Sequence, residues 1–397
     1  MKGKLTVLMI TAFVDMLGLA MIIPLLPFYA TELGASASVV GVLIAAFSIA
    51  QLASAPLWGR FSDHYGRRPG LLVGLLVSAI AYVIFAYATT IWLLLLSRVV
   101  QGFGGGTIGV VQAYVADASD PKDRAKSLGW LSAATSLGAV VGPAIGSALI
   151  HWGRHAPGIA SAIFCVLVSF FASIYLRESR QQMTTTGEHG LLPESSGRAI
   201  WSVIARPKEP AQRLIWIYAI AIGAFYGTVP TLPLILAHRL PITEANVGYF
   251  VMYLGAMGVV VRAGLLGRMI EWLGEPRLTR LGLVLLAIGL ALIAAVHSYL
   301  TLIVSLTLMP LGTAFVFPCV TAMLSRVVPT RNRGLYMGVQ HTFGGVSRVV
   351  FPLAAGVAMD HLGLGFPFVV AGVLVLGTLA LTTSMEDYGA PRAQTMT

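Results

Sequence analysis

Apolar runs of about 20 residues recur along the whole chain, separated by short polar connections. Runs of that length match the hydrocarbon thickness of a bilayer when wound as helices. Twelve such spans are predicted, at about 6–29, 38–58, 70–89, 91–116, 126–150, 157–176, 213–236, 244–266, 278–296, 299–324, 334–358 and 364–383. Between Arg177 and Arg213 the pattern breaks into Gln, Thr, Gly, Ser, Pro and six basic residues. This stretch reads as a polar connector, with one short surface helix around Ala199–Ala205. The predicted organisation is a six-span bundle over 1–176, a cytoplasmic linker over 177–212, a second six-span bundle over 213–385 and a cytoplasmic tail over 386–397.

The two halves repeat. Asp123-Arg124-Ala125-Lys126-Ser127-Leu128-Gly129 returns as Asn332-Arg333-Gly334-Leu335-Tyr336-Met337-Gly338, a shift of 209. The same shift carries Pro143 to Pro352 and His151 to Asp360. Pro24 and Pro27 return as Pro230 and Pro233, a shift of 206. Repeats of this period predict a pseudo-twofold axis along the membrane normal and a substrate cavity at the repeat interface.

Composition sharpens the picture. Of 397 residues, 57% are hydrophobic and 11% charged, less than half the charge of an average soluble domain. The net charge of +10 would suggest nucleic acid, but its distribution argues against that partner. With both termini inside, 21 of the 26 lysines and arginines fall in inner connections and tails. Two, Arg154 and Arg239, fall outside, and three, Arg98, Arg262 and Arg348, lie within spans. That asymmetry is the positive-inside rule. The first span is too long for the apolar core of a cleavable signal and is followed by more spans, so it is expected to stay. Cys165 and Cys319 both fall in apolar spans and are expected to pack as small hydrophobes. No metal-ligand spacing, phosphate-cradling loop or nucleophile elbow is found, so no enzyme activity, metal or cofactor is expected.

Three motifs break the apolar pattern. The first is Gly59-Arg60-Phe61-Ser62-Asp63-His64-Tyr65-Gly66-Arg67-Arg68-Pro69, expected as a charged cytoplasmic loop between spans two and three. A faded copy follows at Gly267-Arg268, Glu271 and Gly274. The second is Arg98-Val99-Val100-Gln101-Gly102 inside span four. A buried arginine is expensive in a membrane and should face protein or a wet cavity. The third is Gly138-Ala139-Val140-Val141-Gly142-Pro143-Ala144-Ile145-Gly146 in span five. Its glycines clear one helix face for close packing, and Pro143 is expected to bend the helix.

These motifs resemble the signatures of the major facilitator superfamily: G-x-x-x-D-x-x-G-R-R/K, the fourth-span R-x-x-q-G, and the G-x-x-x-G-P-x-x-G of its antiporter branches. The first span, from Asp15 to Pro27, is similar to that of tetracycline efflux proteins and their multidrug relatives. The resemblance implies an all-α fold of twelve spans in two pseudo-twofold bundles. It implies that Asp63 caps span eleven, that Arg67 pairs with Asp117, and that Gly59, Gly66 and Arg68 complete a conformational latch. It also implies export, with Gly138, Gly142, Pro143 and Gly146 as the antiporter motif.

Only Asp15 among sixteen acids lies well inside a predicted span. An intramembrane carboxylate is a functional hypothesis by default, and Asp15 is the expected proton carrier, with Arg98 and His341 as partners. The tetracycline exporters carry further acids in later spans. Here spans seven to twelve hold arginines instead, and Arg348 near the middle of span eleven favours an anionic or zwitterionic substrate. Gln51, Gln112, Tyr114, Tyr226, Tyr253, Gln340 and Phe343 are the remaining candidates for the cavity wall. The expected function is proton-coupled export of small organic molecules by a monomer in a bacterial inner membrane. The alternative is a dedicated exporter of an anionic metabolite, such as a metallophore, an amino-acid derivative or a sugar compound. A non-transporting receptor on the same fold is more distant.

Overall fold

The computed structural model describes residues 2–120, 122–176, 196–383 and 385. The tail and most of the linker therefore lie outside the described residues. Those described form helices joined by short connections. Eleven helical stretches among them are long and apolar enough to cross a membrane. They are Leu5–Glu32, Ala37–Tyr65, Arg67–Ala86, Ile91–Ala118, Arg124–Trp152, Ala156–Tyr175, Pro210–Arg239, Glu244–Gly264, Leu266–Ala294, Tyr299–Val327 and Thr330–Leu362. The twelfth, Phe366–Thr382, is shorter because its last turns tighten into a 3₁₀ helix at Thr378–Thr382. Large apolar side chains such as Ile80, Phe170 and Val373 face outward, as a lipid-facing surface requires. Trp92, Trp152 and Trp272 are each 78% exposed near span ends, the depth at which indoles favour the bilayer interface.

The repeated prolines interrupt matching spans. Span one breaks at Ile23–Leu25 and resumes as Leu26–Glu32, because Pro24 lacks the N–H that the ladder needs. Span seven breaks at the corresponding place through a π turn at Gly223–Gly227 and a 3₁₀ turn at Val229–Thr231 around Pro230. Pro143, expected to bend span five, sits within an unbroken helix, Arg124–Leu149. The expected loop 59–69 is not a loop. Span two runs on as helix to Tyr65 and span three starts at Arg67, so the motif is helical except at Gly66. Gly66 has φ of 107°, a region that a Cβ resists, and it lets the chain reverse in a single residue. Gly274, its counterpart in the faded copy, has φ of 74°.

The chain falls into two compact units. The first takes in the described part of Met1–Thr185 with Pro230–Gly255 and Pro352–His361. The second takes in the described parts of Thr186–Val229 and Leu362–Thr397 with Ala256–Phe351. The units do not follow the sequence halves, because segments of spans seven, eight and eleven pack into the first. Two close approaches explain this. A Cβ on Gly41 of span two would strike the carbonyl oxygen of Pro352, and one on Gly248 of span eight would strike that of Pro143. Gly41 and Gly248 are 207 apart in sequence and Pro143 and Pro352 are 209 apart, so both contacts obey the repeat. In the second unit, the short helix Ser196–Ala205 rests on span seven. Gln212 Nε2 donates to Ser202 Oγ at 3.3 Å and Trp216 Nε1 to the Val203 carbonyl at 3.0 Å.

Candidate functional site

Asp15 is half-buried on span one, within the stretch that the glycine face of span five touches. A Cβ at Gly138 would strike the Phe13 carbonyl, one at Gly142 would lie 2.8 Å from the Leu17 carbonyl, and one at Gly146 would strike that of Met21. The antiporter-like motif therefore holds span five against the backbone on both sides of Asp15. Behind it lies a buried polar cluster. Arg98 and Gln101, one turn apart on span four, are each 2% exposed. The Arg98 guanidinium carbon sits 5.3 Å from the centre of the Phe85 ring, and its Nε and Nη2 have no hydrogen-bond partner. The side-chain amide of Gln101 is likewise unpaired. Tyr82 joins these groups, having Asp15, Arg98, Gln101 and Cys165 as polar or charged neighbours. Gly18 makes room for it, since a Cβ there would lie 3.1 Å from the Tyr82 ring. A buried, underpaired guanidinium can accept a new partner without displacing an old one.

Where spans two and three meet in the first unit, Arg67 organises the motif around Gly66. Its Nη1 lies 2.6 Å from Asp63 Oδ1, its Nε 3.2 Å from Asp117 Oδ2, and its Nη1 donates to Ser62 Oγ at 2.6 Å. Arg68 donates to the Ser173 carbonyl of span six. Gly59 has open space around it and serves no close contact. Sequence reasoning missed the counterpart of this pair. In the second unit Glu275 forms an ion pair with Arg326. Shifting Arg67 by 208 gives Glu275 and shifting Asp117 by 209 gives Arg326, so the repeat keeps the pair and exchanges its charges. Applying the shift to the pair would have revealed it.

A second missed group lies at the other end of span two. Asp360, in the last turns of span eleven, accepts from the backbone N–H of Ala37 at 3.0 Å and of Ser38 at 2.9 Å, and from the Ser38 hydroxyl. These are first-turn donors of span two, so Asp360 caps a helix from another span. On the symmetry-related contact, Ser147 Oγ donates to the Glu244 carbonyl at 2.6 Å and accepts from Gly248 N at 2.9 Å.

The remaining candidates divide by unit. Gln51 donates to the Gly105 carbonyl at 3.3 Å, Gln112 is exposed and Tyr253 half-buried, all in the first unit. Tyr114 is fully buried in a cluster with Val7, Leu8, Leu71 and Val115. Gln340 is also fully buried; its Oε1 accepts from the Thr321 hydroxyl at 3.4 Å and its Nε2 has no partner. In the second unit, His341 is exposed and Arg348 half-buried on one helix. Tyr218 meets His341 edge-on at 6.2 Å and Phe317 at 5.5 Å, Tyr226 lies nearly parallel to Phe317 at 6.2 Å, and Phe343 meets Trp216 edge-on at 5.5 Å. Both cysteines are free and buried.

Geometry and repeat together describe a two-fold-repeated helical membrane protein with an interior acid and close glycine contacts. The family model of the Major Facilitator Superfamily matches residues 8–280 and 214–395. The chain belongs to that superfamily. It is 28% identical to Multidrug resistance protein 1 of Bacillus subtilis (strain 168), over 98% of each chain. It is 26% identical to the class B tetracycline resistance protein of Escherichia coli, over 91% of this chain and 90% of that one. Among solved structures, the human organic anion transporter MFSD10 (TETRAN) is 25% identical with a TM-score of 0.66, covering 96% of this chain and 98% of that one.

Proposed function

We propose that this chain exports small organic molecules across a bacterial inner membrane in exchange for protons, acting as a monomer by alternating access with both termini in the cytoplasm. The position of Asp15 carries the reading. It is the one acid deep inside a span among the described residues, it lies where the antiporter-like glycine face packs, and it neighbours Tyr82 as Arg98 does. The full-length similarity to relatives named for multidrug and tetracycline resistance supports the direction of transport. A charged carboxylate at this depth is expensive, and taking a proton relieves that cost. A proton arriving from outside loads Asp15, changes its interaction with the Tyr82–Arg98 cluster, and shifts the balance between inward and outward states. It can do so only because the two states hold the proton with different affinity. The Arg67 network and the Asp360 cap are then contacts of opposite ends that break in alternation.

The test is drug export by full-length protein in proteoliposomes with an imposed pH gradient. Asp15→Asn is expected to abolish gradient-driven transport while the protein still inserts and elutes as the wild type does. Transport by Asp15→Asn at the wild-type rate under the same gradient would overturn the proton role.

A further inference from the structure

We propose that the second unit contains a binding site for a planar aromatic carboxylate, with the carboxylate on Arg348 and the ring among Tyr218, Phe317 and Tyr226. The proposal rests on the exporter reading only for the direction in which such a compound would move.

Charge is the first argument. The described acids of this unit are Glu209, which precedes the first turn of span seven, and Glu271 and Glu275, which flank the kink at Gly274, and Glu275 is already paired with Arg326. Within its spans, the unit offers Arg262, His341 and Arg348, and no acid among the described residues faces them. The Nε of Arg348 is buried without a hydrogen-bond partner. Nε is one prong of the side-on fork by which a guanidinium grips both oxygens of a carboxylate. A cation placed here would meet uncompensated positive charge in a poorly screened setting.

The aromatic wall is the second argument, and it is independent of the first. Tyr218, Phe317 and Tyr226 come from spans seven and ten and touch in series. Arg348, Tyr226 and Arg262 all act electrostatically on Tyr218, so the guanidinium lies within electrostatic range of the wall. Tyr226 stands in the π turn Gly223–Gly227. A π turn adds a residue to the helical register, and such turns gather at functional sites. The turn is locked in place, because a Cβ on Gly223 would strike the Phe351 ring. It leaves Tyr226 45% exposed while Phe225 beside it is 6% exposed. An exposed phenol ring within electrostatic range of an unpaired guanidinium nitrogen suits a flat ligand with one anionic edge.

The experiment measures equilibrium binding to the full-length protein in nanodiscs without any gradient, so a failure of proton coupling leaves the readout intact. Trp216, edge-on to Phe343, provides the fluorescence signal, with calorimetry as a check. The probes are 2-naphthoate, neutral 2-naphthamide and cationic 2-naphthylmethylammonium. Naphthoate is expected to bind tightest. Arg348→Gln should weaken naphthoate on the order of ten- to hundredfold and leave naphthamide within about twofold. Arg348→Lys should recover part of the loss, since charge returns without the fork. Tyr226→Ala should weaken both naphthoate and naphthamide by about three- to tenfold, because it removes ring contact and not charge. Elution profile and melting temperature establish that each variant is folded. Equal affinity for the three probes, tighter binding of the cation, no naphthoate binding up to the millimolar range, or unchanged naphthoate affinity in folded Arg348→Gln would each overturn the site. Naphthoate binding without transport would leave the site standing and count against export.

Discussion

Removing the carboxylate of Asp360 should open the outer end of span two. Three donors, two of them first-turn amides of a 29-residue helix, converge on this one side chain from span eleven. The local cap, Ser36, reaches Val39 N only at 3.4 Å, so Asp360 carries most of the capping. Loss of a helix cap costs about 0.5–2 kcal/mol, and an anion at an exposed N-terminus adds about 0.3–1 kcal/mol. Asp360 is exposed, so solvent and salt screen the charge and the total should stay near 1–2 kcal/mol. If the contact exists only while the outer end is closed, Asp360→Ala raises the open population by about five- to thirtyfold. Asp360→Asn keeps one acceptor and should fall between. The reporter is Val40→Cys. Val40 is fully buried on span two beside the contact, and the native cysteines are buried. A membrane-impermeant thiol reagent added outside should label Val40→Cys in proportion to the open population, so its rate should rise by the same factor. An unchanged rate in Asp360→Ala, with full labelling after denaturation, would refute the clasp.

Asp63→Asn and Arg67→Ala should slow turnover several-fold while leaving substrate Kd within about twofold, because both act at the inner ends and shift the conformational balance; a change in Kd with unchanged turnover would count against this. Gly142→Leu should force spans one and five apart, costing about 1–3 kcal/mol and lowering Tm, whereas Gly129→Leu, with open space around Gly129, should leave Tm unchanged.

The spans and the packing of the motif glycines were legible in sequence because each follows from a local rule. Apolar run length sets a span, and a glycine spacing of four sets a packing face. The motif around Asp63 was misread as a loop for an equally physical reason. Charged residues in a helix that has left the hydrocarbon look like loop residues, and only the positive φ of Gly66 marks where the helix ends. The full burial of Tyr114 and Gln340 was not legible, because a polar atom in an apolar span serves packing and cavity alike. The Asp360 cap needed structure, since its partners lie more than 320 positions away. The Glu275–Arg326 pair did not. Its residues stand where the repeat predicts a pair, but with signs reversed, so a search for conserved chemistry passes over it and a search for conserved geometry finds it. A reversed pair preserves attraction between the ends of the same two spans while changing which span carries the cation. The repeat thus keeps the contact and not the residue that carries each charge, as a joint between span ends would and a ligand site would not, which favours the latch reading of the Arg67 network over a substrate-binding one.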